Sequence, residues 1–412
     1  MVVNTGEADI FVVNTCTVTN TSDQKCRQAI HQIRRKNPKA LVVVTGCMVN
    51  HRKEELLQEG IADYVIDNER KSAIFDIVEE HFKLGHSDPE GYDRDLFSYQ
   101  PAFDTFHTRS LIKIHDGCNN FCSYCIIPMV RGRSTSRPAE DIYENIREVV
   151  DHGFKEIVLT GVNMGRYREG ETNFETLVEH IINIEGDFRV RVSSIEPDLF
   201  SDRFLQLFQQ EKLAPHMHIC LQSGSEDTLK RMHRFYTATQ FREMCQRIKA
   251  FRPDFNLTTD IIVGFPGETE ETFQESCDFA RAIGFSHIHT FKYSKRTGTK
   301  AATMSDQVPE IEKTRRSEIM RAISLENKLK YFEQMKGRAQ RMLIERIDAK
   351  GIARGYGENY VPIQVHGNGL VKNTFVEVTL EEILNKDNED KMVFEAIPKK
   401  IHSINCAYQK KL

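Results

Sequence analysis

The sequence predicts an α/β protein in three parts: an N-terminal parallel sheet with helices, a central part-barrel of six β/α units, and a small C-terminal β-barrel. Three observations carry this prediction. Short apolar runs alternate with helical segments from residue 8 to about 82, and again at a longer period from 110 to about 300. Such alternation builds parallel sheets covered by helices. The six central strand candidates all end in polar or glycine-rich residues, as a barrel with its chemistry at the carboxyl ends of its strands requires. Beyond the central part, brief β-rich runs separated by Gly and Asn turns suit a small barrel.

The N-terminal elements come in order. "ADIFVVNTC" and "ALVVVTGC" read as strands, and "SDQKCRQAIHQIRRKN" between them has helical spacing with a Ser22/Asp23 start signal. "ADYVIDN" is a third strand and "KSAIFDIVEEHF" the helix after it, which sets a first domain over 1–83. Two of these strands end in cysteines, Cys16 and Cys47. Ligands of open α/β sheets sit beyond the carboxyl ends of strands, so both thiols are expected at one site. Residues 84–108 lack periodicity and read as a linker.

The central domain, 109–335, has strands "SLIKIHDG", "KEIVLTGVN", "RVRVSSIEP", "MHICLQSGS", "NLTTDIIVGFPGE" and "HIHTFKYSKRTGT". Helical segments such as "AEDIYENIREVVDHG" and "ETFQESCDFARAIG" separate them, and a long helix runs roughly from Glu310 to Gln334. The C-terminal β-barrel is placed at 336–402.

Composition bounds the function. A chain of 412 residues holds two to four domains at roughly 100–200 residues each. No run of about 18 apolar residues occurs, and "MVVNTGEADI" lacks the charged and apolar regions of a signal peptide, so a cytoplasmic protein is expected. With a net charge of −4, a nucleic-acid partner would need a local basic patch. Residues 311–354 supply one, with 12 Lys+Arg against 6 Asp+Glu, a surplus of +6. The ten cysteines of such a chain are expected to be reduced core residues and metal ligands.

The most informative stretch is "IHDGCNNFCSYCIIPMVRGRSTSR", with Cys118, Cys122 and Cys125 at C-x-x-x-C-x-x-C spacing. Thiolates favour iron–sulfur clusters or zinc. Structural zinc wants four closed ligands. A [4Fe–4S] cluster held by three cysteines keeps one iron open to a small molecule, and the loop follows the first barrel strand, where a barrel active site belongs. A zinc site and three merely packed cysteines are the alternatives.

With Tyr124 just before the last cysteine, this loop resembles that of the radical S-adenosylmethionine superfamily. The resemblance implies that the open iron chelates S-adenosylmethionine, whose reductive cleavage yields methionine and a 5′-deoxyadenosyl radical. "NTCTVTN", "VTGC", "VSSIEP", "LQSGS", "DIIVGFPGETEE" and "YSKRTGTKAA" occur in the order of the methylthiotransferases, over nearly the whole chain. "NTCTVTN" and "YSKRTGT" look most like the MtaB-type branch, which acts on N6-threonylcarbamoyladenosine next to the tRNA anticodon. The resemblance implies a Rossmann-like N-terminal domain, a radical S-adenosylmethionine (β/α)6 part-barrel and a TRAM-like RNA-binding barrel. It also implies tRNA as partner, a flavodoxin- or ferredoxin-like electron donor, a sulfur donor, and no membrane.

The family carries a second [4Fe–4S] cluster on three N-terminal cysteines. Cys16 and Cys47 match the second and third, and no segment matches the first. The expectation is an incomplete start, lacking the first β/α unit and leaving an apolar sheet edge uncovered. Cys26, mid-helix, is the other possible ligand or simply a packed small residue.

Further residues follow from the resemblance. Thr160, Gly161 and Asn163, in "TGVN", stand where the superfamily holds the methionine amino group, though they depart from the usual Gly-Gly-Glu form. Glu196 and Gln222 are expected at the cofactor, or else as polar loop starts. Gly264, Phe265 and Pro266 are expected to shape the adenine pocket, or merely to turn the chain. Arg131, Arg133 and Arg137 are expected to pair with phosphate or carboxylate, or to form a solvated face. Tyr356 and Tyr360 are expected to stack on unpaired bases, or to pack within the barrel. Cys220, Cys245, Cys277 and Cys406 read as core or surface residues.

Three rival functions remain from the sequence. His216/His218 and His287/His289 are H-x-H pairs that place two rings on one face of a strand, as in metal-dependent barrel hydrolases. A methylthiotransferase of a ribosomal-protein aspartate would share the fold and both clusters. A non-catalytic RNA-binding iron–sulfur protein would cleave no S-adenosylmethionine.

Overall fold

The structure, a computed structural model, describes residues 7–98, 108–197 and 201–399. The N-terminal sheet has the parallel order β1-β2-β3, from Ile10–Thr15, Leu41–Gly46 and Tyr64–Ile66. β2 is buried along its length, which its unbroken apolar run requires of a central strand. β1 is an edge strand among the described residues, and Ile10 and Val12 on it are 38% and 52% exposed. The helix Asn20–Lys36 begins where Thr19 Oγ1 accepts the Ser22 N–H, and ends on Arg34, Arg35 and Lys36, which complement the negative end of its dipole.

The part-barrel contains six parallel strands: β4 (Arg109–Asp116), β6 (Glu156–Gly161), β9 (Arg189–Val192), β10 (His216–His218), β11 (Asn256–Val263) and β12 (His287–Lys292). A two-residue strand, β5 (Thr135–Ser136), pairs antiparallel with β4, and β7 (Arg168–Glu169) and β8 (Thr172–Asn173) form a small hairpin. Single bridges, Val190 to Leu213 and Ile195 to Ile219, join the β9 and β10 halves. The helices start on locally encoded signals: Asn173/Thr176, Thr237/Gln240 and Thr269/Thr272 are reciprocal capping boxes. A phenylalanine cluster including Phe204, Phe208, Phe241, Phe255 and Phe285 fills the space between sheet and helices.

The long helix runs Glu310–Met335 and leads into a closed barrel of order β13-β14-β15-β17-β16. Its strands are β13 (Ala339–Ile347), β14 (Ile352–Tyr356), β15 (Pro362–His366), β16 (Phe375–Leu384) and β17 (Val393–Pro398). Closure removes the open edges of the sheet. The barrel docks under the amino ends of the part-barrel strands through a buried charge hub. Glu156, fully buried, pairs with Arg109, Arg189 and Arg191; Arg189 also donates to the carbonyls of Arg341 (3.0 Å) and Tyr356 (3.1 Å).

Two expectations change. The linker is packed over its first part: Arg70 Nε donates to the Tyr92 carbonyl (2.9 Å) and Lys113 Nζ to that of Leu96 (3.0 Å). Its residues 99–107 lie outside the described residues. The basic surplus of 311–354 is largely taken up within the chain. Arg315 and Arg316 pair with Glu312 and with Glu270 or Glu268, Arg341 with Asp187, and Arg354 with Asp348.

Candidate cluster and cofactor site

The cysteine loop leaves β4 at Asp116, whose carboxylate accepts the Gly117 N–H at 2.8 Å. Gly117 has φ +69°, and a Cβ there would stand 1.9 Å from the Arg133 carbonyl oxygen, so only glycine permits this turn. The loop is tied down at Ser123. Its N–H donates to the Met232 carbonyl, its hydroxyl to the Arg231 carbonyl, and its own carbonyl accepts the Ala301 N–H. Cys125 N–H closes on the Cys122 carbonyl at 3.0 Å.

Each of the first two thiols has a polar neighbour from elsewhere in the part-barrel, Asn163 just after β6 and Arg234 between two helices. Arg234 Nη1 donates to Cys122 Sγ at 3.0 Å and also pairs with the Glu196 carboxylate. Asn163 Nδ2 lies 3.6 Å from Cys118 Sγ. Burial pushes the Cys122 thiol up, against the opposing pull of Arg234, and pushes the Cys125 thiol up to about 12. Three thiols in one short loop, with Cys122 and Cys125 pushed up by burial, match the donor chemistry of a three-cysteine cluster, in which a metal holds the sulfurs as thiolates. Asn163 Oδ1 is buried without a hydrogen-bond partner among the described residues, an acceptor suited to the amino group of a ligand. These residues fit a [4Fe–4S] cluster with an open iron.

Beside the cluster loop lies a cavity of about 210 Å³ lined by Tyr124, Cys125, Gln222 and Asp260, among others. Val18 and Thr19 of the N-terminal domain also line it. That domain is clamped onto the part-barrel by Arg296, a buried cation of the "YSKRTGT" loop. Arg296 donates to Thr17 Oγ1, Asn20 Oδ1 and, at 3.4 Å, the Asp23 carboxylate. Nothing in the local pattern singled out Arg296 or Arg234, because their partners lie in distant sequence.

Cys16 and Cys47 each follow a register pair, Thr15 and Gly46, on adjacent parallel strands. Strands about 4.8 Å apart therefore bring the two cysteines to one sheet end. Gly46 has φ +103° and no room for a Cβ against Thr15. Cys47 opens a helix and is packed with Ile126 and Val130, and Arg131 Nε donates to its Sγ at 3.2 Å. Cys26 Sγ accepts the Cys16 N–H at 3.4 Å and packs into the N-terminal core with Val13 and Ile33.

The remaining expected residues divide. Thr160 and Gly161 end β6, and a Cβ at Gly161 would meet the His115 carbonyl oxygen at 2.9 Å. Gln222, at φ +68°, lines the cavity. Gly264, Phe265 and Pro266 lie behind the loop instead: buried Phe265 packs edge-on against Tyr124 and Tyr293 and does not line the cavity. Arg131 faces Asp116 and Cys47, and Arg133 lies over the Phe121 ring. Arg137 is buried and donates to Asn145 Oδ1 at 3.0 Å, so it has no open face for phosphate. Tyr356 and Tyr360 stack on each other, with Arg109 over the first and Arg191 over the second. They lie at the junction of the two barrels, partly buried over the arginines that the Glu156 hub gathers, and line a cavity of about 470 Å³ there.

A six-strand part-barrel whose first strand ends in a three-cysteine loop defines a radical S-adenosylmethionine enzyme. The radical SAM superfamily model matches residues 112–280, and the model described as uncharacterized protein family UPF0004 matches residues 1–67. The chain is 36% identical over 400 residues to the threonylcarbamoyladenosine tRNA methylthiotransferase MtaB of Bacillus subtilis, covering 94% of this chain and 88% of the relative. It is 35% identical to the MtaB of Thermotoga maritima over 88% of this chain and 84% of that relative. A tRNA-2-methylthio-N(6)-dimethylallyladenosine synthase of Pelotomaculum thermopropionicum is 36% identical, over 86% of this chain and 82% of its own length. Among solved structures, the radical S-adenosylmethionine methyltransferase TsrM of Kitasatospora setae shares the fold with a TM-score of 0.52 and 16% identity, over 71% of this chain and 65% of its own. The chain belongs to the radical S-adenosylmethionine tRNA methylthiotransferase family, of the MtaB type.

Proposed function

We propose that this enzyme replaces the C2 hydrogen of N6-threonylcarbamoyladenosine, next to the tRNA anticodon, with a methylthio group. One observation carries the reading: the loop after Cys16 and the loop holding Cys125 both line one cavity. A sulfur source on Cys16 and Cys47 and a radical source on Cys118, Cys122 and Cys125 would then act on one bound base.

Cys118, Cys122 and Cys125 would hold the first [4Fe–4S] cluster, and Cys16 and Cys47 a second. A cluster held at the first of these sites would supply the electron for reductive cleavage of bound S-adenosylmethionine. The chain's own residues do the rest. Asn163 offers its carbonyl oxygen to the methionine amino group, beside Cys118. Arg234 holds Cys122 and Glu196 in fixed relation. Val18, Ile126, Ile127 and Phe291 give the cavity its apolar lining, which a bound base would cover. Lys292, which pairs with Glu310, and Thr19 and Ser294 also line the cavity and would supply polar partners for a threonylcarbamoyl group. Electrons would come from a flavodoxin- or ferredoxin-like donor, and sulfur from a separate donor, in the cytoplasm where tRNA is modified.

The apolar part of that lining also favours a second reading, the same reaction on dimethylallyladenosine, the substrate named for other relatives. Digestion of tRNA from a deletion strain, with nucleosides read by mass, separates the two. Loss of the methylthio form of threonylcarbamoyladenosine supports the proposal. Its persistence, with loss of the dimethylallyl form, overturns it. Iron counting on the anaerobically reconstituted chain tests the second cluster: about eight irons mean two clusters and about four mean one.

A further inference from the structure

The H-x-H pairs on β10 and β12 take no part in the cluster chemistry, yet one ring from each converges with a carboxylate of β11. His218, Asp260 and His289 offer ligand atoms that all lie within 4.8 Å of one another. His218 Nε2 is 3.2 Å from Asp260 Oδ1, and the His218 and His289 ring centroids are 5.4 Å apart. Two imidazoles and one carboxylate at bonds of about 2.0–2.2 Å place neighbouring ligand atoms a little over 3 Å apart around one tetrahedral ion.

The surroundings orient these ligands as an outer shell does. Thr258 Oγ1 meets His218 Nδ1 at 3.0 Å, which turns Nε2 toward Asp260. His287 Nε2 meets His289 Nδ1 at 3.2 Å and leaves His289 Nε2 to ligate. The carboxylate of Glu389, on the C-terminal barrel, meets His287 Nδ1 at 2.6 Å. Carboxylate–histidine relays of this kind fix the tautomer of a ligating ring. His218 and His289 line a second cavity of about 470 Å³ between the part-barrel and the C-terminal barrel, and Asp260 lines the cavity beside Cys125. The triad thus stands between the two.

We infer that His218, Asp260 and His289 form a binding site for a divalent first-row cation of the Zn²⁺ class. Three protein ligands leave one coordination position for water or an anionic oxygen in the barrel lumen, the pattern of open zinc sites. The site is separate from the cysteine ligands and does not depend on which nucleoside the enzyme modifies.

Cobalt titration of the cluster-loaded holoenzyme tests this, with iron counted before and after. The expected result is about one Co²⁺ per chain, with visible d–d bands and no thiolate-to-cobalt charge-transfer band, displaced by Zn²⁺. His218→Gln and His289→Gln should abolish that signal at unchanged iron content. His287→Gln, which removes only the relay, should weaken binding about 10–100-fold. Absence of the d–d bands in the wild-type holoenzyme, a thiolate band in their place, or unchanged affinity in the variants would each overturn the assignment.

Discussion

Arg131 Nε donates to Cys47 Sγ at 3.2 Å while the same guanidinium pairs with Asp116 at 3.2 Å. One arginine, six residues beyond the last cysteine of the loop, thus joins the N-terminal sheet to the end of the first barrel strand. Hydrogen bonds to charged groups contribute about 1.5–3 kcal/mol each. Arg131→Ala should therefore speed amide hydrogen exchange in the helix Cys47–Gln58 and leave the iron held by Cys118, Cys122 and Cys125 unchanged. Exchange rates equal to wild type would show that this contact does not dock the domain.

Arg296 grips Thr17, Asn20 and Asp23 of the N-terminal domain. Removing it displaces the loop after Cys16 without touching the cluster loop. Misplacement by about 1 Å costs on the order of 100-fold in an oriented reaction. Arg296→Ala is expected to lower methylthiolation by that order while 5′-deoxyadenosine formation persists. Quantifying both products in one assay decides it, since equal loss of the two would place Arg296 elsewhere in the reaction.

At Gly117 the requirement is steric. A methyl group there meets the Arg133 carbonyl oxygen, and a left-handed backbone costs about 1–2 kcal/mol for a non-glycine residue. Gly117→Ala should lower the iron retained by the three-cysteine loop, read as iron per chain after desalting, with little change in the melting of the C-terminal barrel. Full iron retention would contradict the steric account.

Glu156 pairs with all three of Arg109, Arg189 and Arg191 in the buried hub, and Glu345 pairs with Arg109 from the C-terminal barrel. Burial alone would raise the pKa of Glu156, but the guanidiniums, Arg189 foremost, hold it well below the usual carboxylate range. A carboxyl depressed in the folded state adds stability above its unfolded pKa of about 4.3, and that stability is lost as pH falls toward the folded value. Breaking a buried pair by removing one partner costs about 3–5 kcal/mol. Glu156→Gln should lower the melting temperature at pH 7 and flatten its decline between about pH 4.5 and pH 2. A wild-type melting curve at pH 7 from the variant would remove the hub from the account of stability.

Strand and helix periodicity, capping pairs such as Thr269/Thr272, and the C-x-x-x-C-x-x-C spacing are local properties. The chain alone therefore determined the α/β elements, the small barrel and the three cysteines of the loop. The long helix expected from about Glu310 to Gln334 runs Glu310–Met335, because its pattern needs no distant partner. Burial and pairing across distant segments are another matter. Arg133 and Arg137 lie four residues apart and look alike in sequence, yet one lies over an exposed ring and the other is buried against Asn145. Tyr356 and Tyr360 look like base-stacking residues in sequence, and the fold sets arginines of the Glu156 hub on their faces. Only the tertiary structure decided that Arg234 and Arg296 belong to the site, that Phe265 supports the loop from behind, and that His218 and His289 meet across Asp260. Each of these contacts depends on long-range strand order, which places side chains from separate β/α units at one level of the barrel.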